Sequence, residues 1–167
     1  MPGKHAKTKH RTPKGPSEGK RTFTVREANA TLPLVRAIVA DLVDVARNVA
    51  DRRQRLLALA PSGQPRGADP YREELVQAEE ELEKDARRVV EYVEELRQLG
   101  VEAKSATEGL VDFPALLDGR TVYLCWKLGE PEIGFWHELD AGFRGRKPLA
   151  AMDWEGEARG RGGPKLN

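Results

Sequence analysis

The strongest constraint on the fold is a pair of segments in which apolar residues recur at alternating steps of three and four. The stretch between them is one that no helix interior tolerates. Residues 61–70 hold three prolines and two glycines, which break helices and favour turns. Apolar residues at these steps line one stripe of a helix. The pattern predicts a coiled-coil-like antiparallel hairpin of helices at about 25–59 and 70–99. The stripes consist of Val35, Ile38, Leu42, Val45, Val49, Leu56 and Leu59, then Tyr71, Leu75, Ala78, Leu82, Val89, Tyr92, Leu96 and Leu99.

Each stripe contains one charged residue, Arg52 in the first helix and Asp85 in the second. Folding the hairpin about the centre of its loop places Asp85 near Val45 and Arg52 near Ala78. We therefore expect that the two charged residues do not pair. The simplest interpretation of Asp85 is an acid at the solvated edge of the seam. The alternatives are an open end, a polar partner from the sheet, or a bound ion.

The start of the first helix carries its own signals. Thr24 and Glu27 form a capping-box pattern, and Phe23 before them can act as a hydrophobic staple. Thr31 is a second N-cap candidate just ahead of Pro33. This arrangement predicts a short helix, a kink and then the long helix.

After Gly100 the pattern changes to short alternating segments with turn signals between them. Asp118-Gly119 and Gly129-Glu-Pro131 are the turns. Helices followed by strands indicate an α+β fold with a small antiparallel sheet at about 101–138. The predicted strand segments are 109–113, 121–126 and 133–137.

A turn at Gly129-Glu130 sets the register of the last predicted hairpin. It places Val122, Leu124 and Trp126 opposite His137, Phe135 and Ile133 on an apolar face. The other face then holds Tyr123, Cys125 and Lys127 with Trp136, Glu132 and Glu138. A slip of one residue would exchange the two sets. Trp126 and Trp136 are most simply packing residues.

The net charge of +1 conceals an uneven distribution of charge. Residues 1–21 contain seven Lys and Arg residues against Glu18 alone, which gives +6 and leaves −5 for the rest. Because this segment is almost without apolar residues, we expect a disordered basic tail. A single α+β domain at 22–150 and a flexible C-terminal tail at 151–167 complete the predicted organisation.

Several classes of protein are disfavoured by what the sequence lacks. It has no apolar run of about 18 residues and no apolar stretch after its basic start, which predicts neither a membrane span nor a secretion signal. Its one cysteine, Cys125, excludes an intramolecular disulfide. We therefore expect a cytoplasmic protein without a membrane partner.

Six short motifs occur in a fixed order between about residues 23 and 149. They are Phe23 to Pro33, Gly109-Leu-Val-Asp-Phe-Pro114, Val122-Tyr-Leu-Cys-Trp126, Gly129-Glu-Pro131, Phe135-Trp-His137, and Gly142 to Pro148. As an ordered set they resemble an uncharacterised bacterial family, the domain of unknown function 2203. The family has no established activity, so the resemblance supports the domain and assigns no catalytic residues.

His137, the only histidine outside the basic tail, is the first candidate for chemistry. With Asp112 and Glu138 it could complete a carboxylate–histidine site for a divalent metal ion. The alternative is a structural histidine that donates one hydrogen bond. Cys125 is either a small buried apolar residue or a nucleophile activated by His137.

Basic residues supply a second candidate site. Gly142 to Pro148 combines two glycines with three cations, which suit either an anion or a solvated loop that closes over the sheet. With the tail, these cations form a candidate surface for RNA or a ribonucleoprotein. The predicted contacts are Lys4, Lys7, Lys9, Arg11, Lys14, Arg144, Arg146 and Lys147.

Three functions fit these patterns. The first is a non-enzymatic binding or adaptor protein whose tail and Gly/Arg loop contact an acidic partner. The second is a small metal-dependent or acid–base enzyme with a site around Asp112, Glu130, His137 and Glu138 and with Arg146 on an anionic substrate. The third, compatible with either, is a homodimer in which two helical hairpins form a four-helix assembly.

Overall fold

The computed structural model describes residues 21–59 and 72–151 and confirms the α+β class. The strands form one antiparallel sheet in the order of the chain. The predicted N-terminal tail up to residue 20, the hairpin loop and the C-terminal tail from residue 152 lie outside the described residues. The elements are α1 (Val25–Leu59), α2 (Arg72–Gln98), β1 (Glu102–Ser105), β2 (Leu110–Leu117), β3 (Arg120–Lys127), β4 (Phe135–His137) and β5 (Lys147–Pro148).

The predicted capping box begins α1. The Thr24 backbone N–H donates to Glu27 Oε2 at 2.8 Å, and the Glu27 N–H donates to Thr24 Oγ1 at 3.1 Å. Phe23 is buried and packs edge-on against Phe113, with ring centroids 5.2 Å apart. Its backbone N–H donates to Pro114 O at 2.7 Å. These contacts fix the start of the helix against β2.

The predicted division of the first helix is wrong, because α1 continues through Pro33. Proline removes one backbone donor from the helix and lies here on an exposed face. The buried residues Leu32 and Val35 on either side of it hold the chain against the core. Packing therefore outweighs the local preference for a break. Neither described helix is long and apolar enough to cross a membrane.

The prediction that Arg52 and Asp85 do not pair is wrong, because they form an ion pair between α1 and α2. Val45, which the prediction places near Asp85, lines the same groove as Arg52 and Asp85. Heptad positions describe the backbone, whereas a long arginine side chain can reach past its own position to a neighbouring acid.

One face of the sheet packs against α1 to form the core. Gly109 shows how close the two layers come, since a Cβ there would lie 2.7 Å from Leu128 and 3.0 Å from Val43. The strands β1 and β5 at the two edges were not predicted; both are short and partly polar. The buried sheet residues on the core face are Val111, Phe113, Ala115, Leu117, Val122, Leu124, Trp126 and Trp136.

The register of β3 and β4 differs by one residue from the prediction and exchanges the two predicted sets of side chains. His137 lies opposite Tyr123, and Trp136 lies opposite Leu124. Trp136 is therefore on the core face, 3% exposed, beside the other buried apolar residues. His137 moves to the opposite face because successive residues of a strand point to opposite sides.

Replacement of Leu42 by alanine should lower the free energy of unfolding by about 2–5 kcal/mol, because this side chain is fully buried and leaves a cavity. The matched control is Val90→Ala on α2, whose parent side chain is 67% exposed. Its expected effect is below about 0.5 kcal/mol. Urea denaturation of both variants measures the difference, and equal losses would contradict the assignment of the core.

Candidate functional site: a buried Asp–Cys–His cluster

Three adjacent strands bring Asp112, Cys125 and His137 together on the sheet face opposite the helices. Asp112 on β2 lies directly opposite Cys125 on β3. On β4, Phe135 is the partner of Cys125, and His137 lies two residues further along the same face. Their exposed fractions are 1%, 0% and 2%. One ligand-type atom from each residue lies within 4.8 Å of the other two. The three residues, called the cluster below, are thus close and shielded from solvent.

His137 uses both ring nitrogens. Nδ1 is 2.7 Å from the Glu138 backbone oxygen, and Nε2 is 3.0 Å from Asp112 Oδ2. A carbonyl oxygen only accepts, so Nδ1 carries a proton, and Nε2 of the neutral ring is then an acceptor. The bond to Asp112 therefore needs one further proton, either on the carboxyl or on Nε2. The pair is neutral overall in both cases.

The Asp112 carboxyl is in an unfavourable environment for a charge. Burial raises its pKa, while His137 and then Lys104 oppose that shift by charge attraction. Its second oxygen, Oδ1, is buried without a hydrogen-bond partner that meets normal geometry. A buried carboxyl oxygen without a partner destabilises a fold by about 1–3 kcal/mol. The Cys125 thiol partly compensates as a hydrogen-bond donor to this carboxyl, which opposes the rise in the pKa of Asp112.

Cys125 is a thiol rather than a thiolate in this environment. Burial and then the nearby Asp112 carboxyl raise its pKa to about 12, against the smaller lowering effect of Arg146. A nucleophilic cysteine needs the opposite shift. The arrangement disfavours the reading of Cys125 as a nucleophile activated by His137, whose Nε2 is directed to Asp112.

Tyr123 forms one side of the site. Its ring centroid is 5.5 Å from that of His137, and its hydroxyl donates to Glu102 Oε2 at 3.0 Å. Lys104 Nζ lies 2.8 Å from the same oxygen and 4.6 Å from the Tyr123 ring centroid. Burial and then Glu102 raise the pKa of Tyr123 to about 12. Tyr123 is thus a neutral wall with its hydroxyl turned to β1.

Arg146 and Glu130 form the other side. The Arg146 guanidinium donates to Glu130 Oε1 at 2.6 Å and lies 4.0 Å from the Phe135 ring centroid and 4.2 Å from that of Phe143. Phe135 is the cross-strand neighbour of Cys125. The guanidinium therefore covers the sheet face beside the thiol.

The residues predicted as metal ligands separate in the structure. Asp112 and His137 are in contact, whereas the Glu138 carboxylate pairs with Arg120 at 3.0 Å. Glu138 contributes through its backbone oxygen instead. Glu130 holds Arg146. A metal role for Asp112, His137 and Glu138 stays a prediction.

The predicted basic loop is divided in the same way. Arg146 is committed to Glu130 and the two rings, while Arg144 and Lys147 are exposed. Lys147 Nζ lies 5.0 Å from the Trp136 ring centroid. The other predicted contacts, Lys4 to Lys14, lie outside the described residues.

Cys125, Tyr123 and Glu102 were not included in the predicted metal site. The signal that would have found them is the strand register, because the observed one places Cys125 and Tyr123 on the face of His137. Glu102 could be placed at the site only if β1 were predicted as well, because Glu102 lies on that strand opposite Asp112.

An open groove on the helical hairpin is a weaker candidate. It encloses about 460 Å³ and is lined by Arg52, Glu81, Lys84, Asp85 and Arg88. Its central charges already form ion pairs across the seam and along α2. The groove therefore offers less unsatisfied chemistry than the cluster.

Two features define this class of protein. A helical hairpin packs on one face of a five-stranded antiparallel sheet, and a buried Asp–Cys–His cluster lies on the other face. The chain belongs to the family described as an uncharacterized conserved protein, DUF2203, whose model matches residues 21–149. Comparisons with curated proteins and with solved structures found no match.

Protein stability should fall at alkaline pH because Cys125 and Tyr123 bind their protons more tightly when folded. Their contributions are fully present below the ordinary pKa values of 9.0 and 10.0 and are lost as the pH rises through about 12. Urea denaturation in steps from pH 9.0 upward measures the loss. The double variant Cys125→Ala, Tyr123→Phe should flatten the profile; an unchanged slope would contradict the assignment.

Proposed function

We propose that this domain binds a divalent transition-metal ion through a carboxylate oxygen of Asp112, Sγ of Cys125 and Nε2 of His137. The observation that carries the proposal is the convergence of these three donor atoms, within 4.8 Å of one another, in a site with almost no solvent exposure. Thiolate, imidazole and carboxylate are the ligand types that zinc and its neighbours accept in proteins.

The distances support an ion of this size. In a tetrahedral site with bonds near 2.0 Å, a nitrogen and an oxygen ligand lie about 3.3 Å apart, and a sulfur ligand lies slightly further away. His137 Nε2 and Asp112 Oδ2 are 3.0 Å apart. A small rotation of either side chain would admit the ion in place of the shared proton.

The environment of His137 supports the same role. A ligating histidine usually donates its second ring N–H to a carbonyl or carboxylate, which orients the ring and makes the other nitrogen a better ligand. Nδ1 and the Glu138 backbone oxygen, 2.7 Å apart, have this arrangement. Three protein ligands would leave a fourth position for water or a substrate, as in catalytic rather than structural zinc sites. The proposal therefore includes a metal-dependent enzyme.

The metal-free protein, loaded with Zn²⁺ or Co²⁺ and freed of excess ion, should retain about one ion per chain. His137→Gln and Asp112→Asn should each weaken binding by about 10-fold or more because each removes a ligand. The matched control is Glu138→Gln, since that carboxylate pairs with Arg120 and its backbone oxygen remains.

Elemental analysis and melting temperature measured on the same samples give the answer. If the wild type binds no ion and His137→Gln only lowers the melting temperature, His137 is a structural residue and the metal proposal fails. Loss of binding in Glu138→Gln would instead restore the ligand set predicted from sequence.

A second candidate function is supported by the distribution of charge. The protein would bind RNA or a ribonucleoprotein in the cytoplasm. The binding surface would consist of residues 1–21, which carry a charge of +6, together with Arg144 and Lys147. Deletion of residues 2–20 should remove copurifying nucleic acid, measured by ultraviolet absorbance, without changing the melting temperature. Copurification that survives the deletion, or a large loss of stability, would contradict this function.

A homodimer through the hairpin is compatible with either function. Leu57 and Val76, which are 72% and 47% exposed, lie in the outer parts of the two helices. Pairing of two hairpins into a four-helix coiled-coil assembly would cover such residues. Light scattering at two protein concentrations distinguishes a dimer from a monomer.

A further inference from the structure

A loop beside the cluster connects β4 to β5. Between β4 and β5, residues 138–146, called the closing loop below, leave the sheet and return to its edge through a short turn at Phe143–Gly145. Asp112, Cys125 and His137 are at most 2% exposed beneath this side of the sheet. An ion, or any reagent, can reach them only after something moves.

Arg146 is a closing-loop side chain that lies beside the cluster. It contacts the rings of Phe135 and Phe143 and pairs with Glu130 across the β3–β4 connection. It is also close enough to the Cys125 thiol to lower its pKa against the larger opposing effects. One side chain thus ties the closing loop, the β3–β4 connection and the edge of the cluster together.

Glu130 is a rigid anchor for this contact. Its Oε2 accepts the Lys127 backbone N–H at 2.9 Å, and its backbone oxygen accepts Trp126 Nε1 at 3.0 Å. The free carboxylate oxygen, Oε1, is the one that receives Arg146. Any displacement between the two residues must therefore come mainly from Arg146 and the closing loop.

The closing loop is built to move as one piece. Gly142 has a φ of 61°, and a Cβ at Gly145 would lie 2.6 Å from the Ala141 Cβ. Internal hydrogen bonds link Gly145 to Gly142 and Arg146 to Phe143. These bonds can persist while residues 142–146 swing away. The loop is joined to β3 by the Glu138–Arg120 ion pair at its start and by Lys127 Nζ, which lies 5.3 Å from the Phe143 ring centroid.

We infer that Arg146 is the gate of the cluster: release of its contacts with Glu130 and the Phe135 ring opens the closing loop and admits a metal ion to Cys125. The inference rests on the proposed function for the identity of the ion, but access to the thiol can be measured without metal. Opening breaks the Arg146–Glu130 ion pair and the cation–π contacts Arg146–Phe135 and Lys127–Phe143, and it leaves the β2–β3 ladder intact. It should therefore require less free energy than global unfolding.

The first test measures access to Cys125, the only cysteine of the chain, by its reaction with an aromatic disulfide reagent in metal-free protein. Glu130→Gln and Arg146→Met should both react about tenfold faster than the wild type. The matched control is Glu132→Gln, an exposed acid two residues from Glu130 that should react at the wild-type rate.

The two gate variants separate access from electrostatics. Glu130→Gln leaves Arg146 without its counter-charge and so favours the thiolate, whereas Arg146→Met removes the cation and disfavours it. Acceleration in both variants cannot come from electrostatics and must come from opening, either of the closing loop or of the whole domain. Acceleration in Glu130→Gln alone, or in neither, overturns the gate.

The urea dependence of the reaction excludes simple destabilisation. Local opening exposes little surface and gives a shallow dependence on urea, while global unfolding gives the full dependence of the denaturation curve. If the faster reaction of the variants follows the full dependence, the closing loop is not the route and the inference fails.

The second test follows the rate at which Co²⁺ binds to the metal-free protein, through the absorbance of the cobalt–thiolate bond. Entry and release should both be about tenfold faster in Glu130→Gln than in Glu132→Gln. Equal rates in the two variants would show that the ion enters elsewhere and would overturn the gate alone. Absence of binding in every variant would remove the proposed function, while the thiol measurement would still decide whether Arg146 controls access.

Discussion

The position of Trp136 in the apolar core determines where the polar groups of the sheet lie. An aromatic side chain of this kind buries about 150–250 Å². At about 25 cal/mol per Å², that burial contributes about 4–6 kcal/mol. Because strand neighbours point to opposite sides, Trp136 in the core forces His137 to the other face, opposite Tyr123. The contact between His137 and Asp112 is therefore a consequence of apolar packing one residue away.

The cluster is neutral in the form described and can remain neutral with a divalent ion. Asp112 and His137 share one proton beyond the proton on Nδ1, and the Cys125 thiol holds another. A divalent ion that replaces both protons leaves a carboxylate, a thiolate and a neutral imidazole around two positive charges. The two negative charges of the ligands equal the two positive charges of the ion. Since burying a net charge is strongly unfavourable, the cluster favours a divalent over a monovalent or trivalent ion. Binding should accordingly strengthen as pH rises.

The sequence predicts the elements of this fold better than their registers. The capping box at Thr24, the hairpin of helices and the turn at Asp118 follow from local patterns, and the structure contains them. The pairing of Arg52 with Asp85 does not follow, because heptad positions describe the backbone and do not give the direction in which a long arginine side chain reaches. His137 and Cys125 fall on one face only after a shift of one residue, which alternation alone cannot fix.

The candidate site was predicted in part for the same reason. Asp112, Glu130 and His137 were found because their side-chain chemistry is rare among apolar strand residues. Cys125 was assigned to the other face, and the Glu138 carboxylate was included although it lies with Arg120. What sequence patterns do not contain is the relative position of neighbouring strands, which depends on packing across the whole sheet.

The two faces of the sheet are stabilised by different means, and this difference favours access to the cluster from one side. On the core face, apolar side chains from β2, β3 and β4 pack against α1, so opening there requires loss of the core. On the other face, the nine-residue closing loop is held by the ion pairs Arg146–Glu130 and Glu138–Arg120 and by the cation–π contacts Arg146–Phe135 and Lys127–Phe143. Regions with few buried apolar contacts open at lower free energy than the core. The inferred gate would therefore combine a rigid floor, which fixes the distances between the three donor atoms, with a loop that opens at lower free energy than the core.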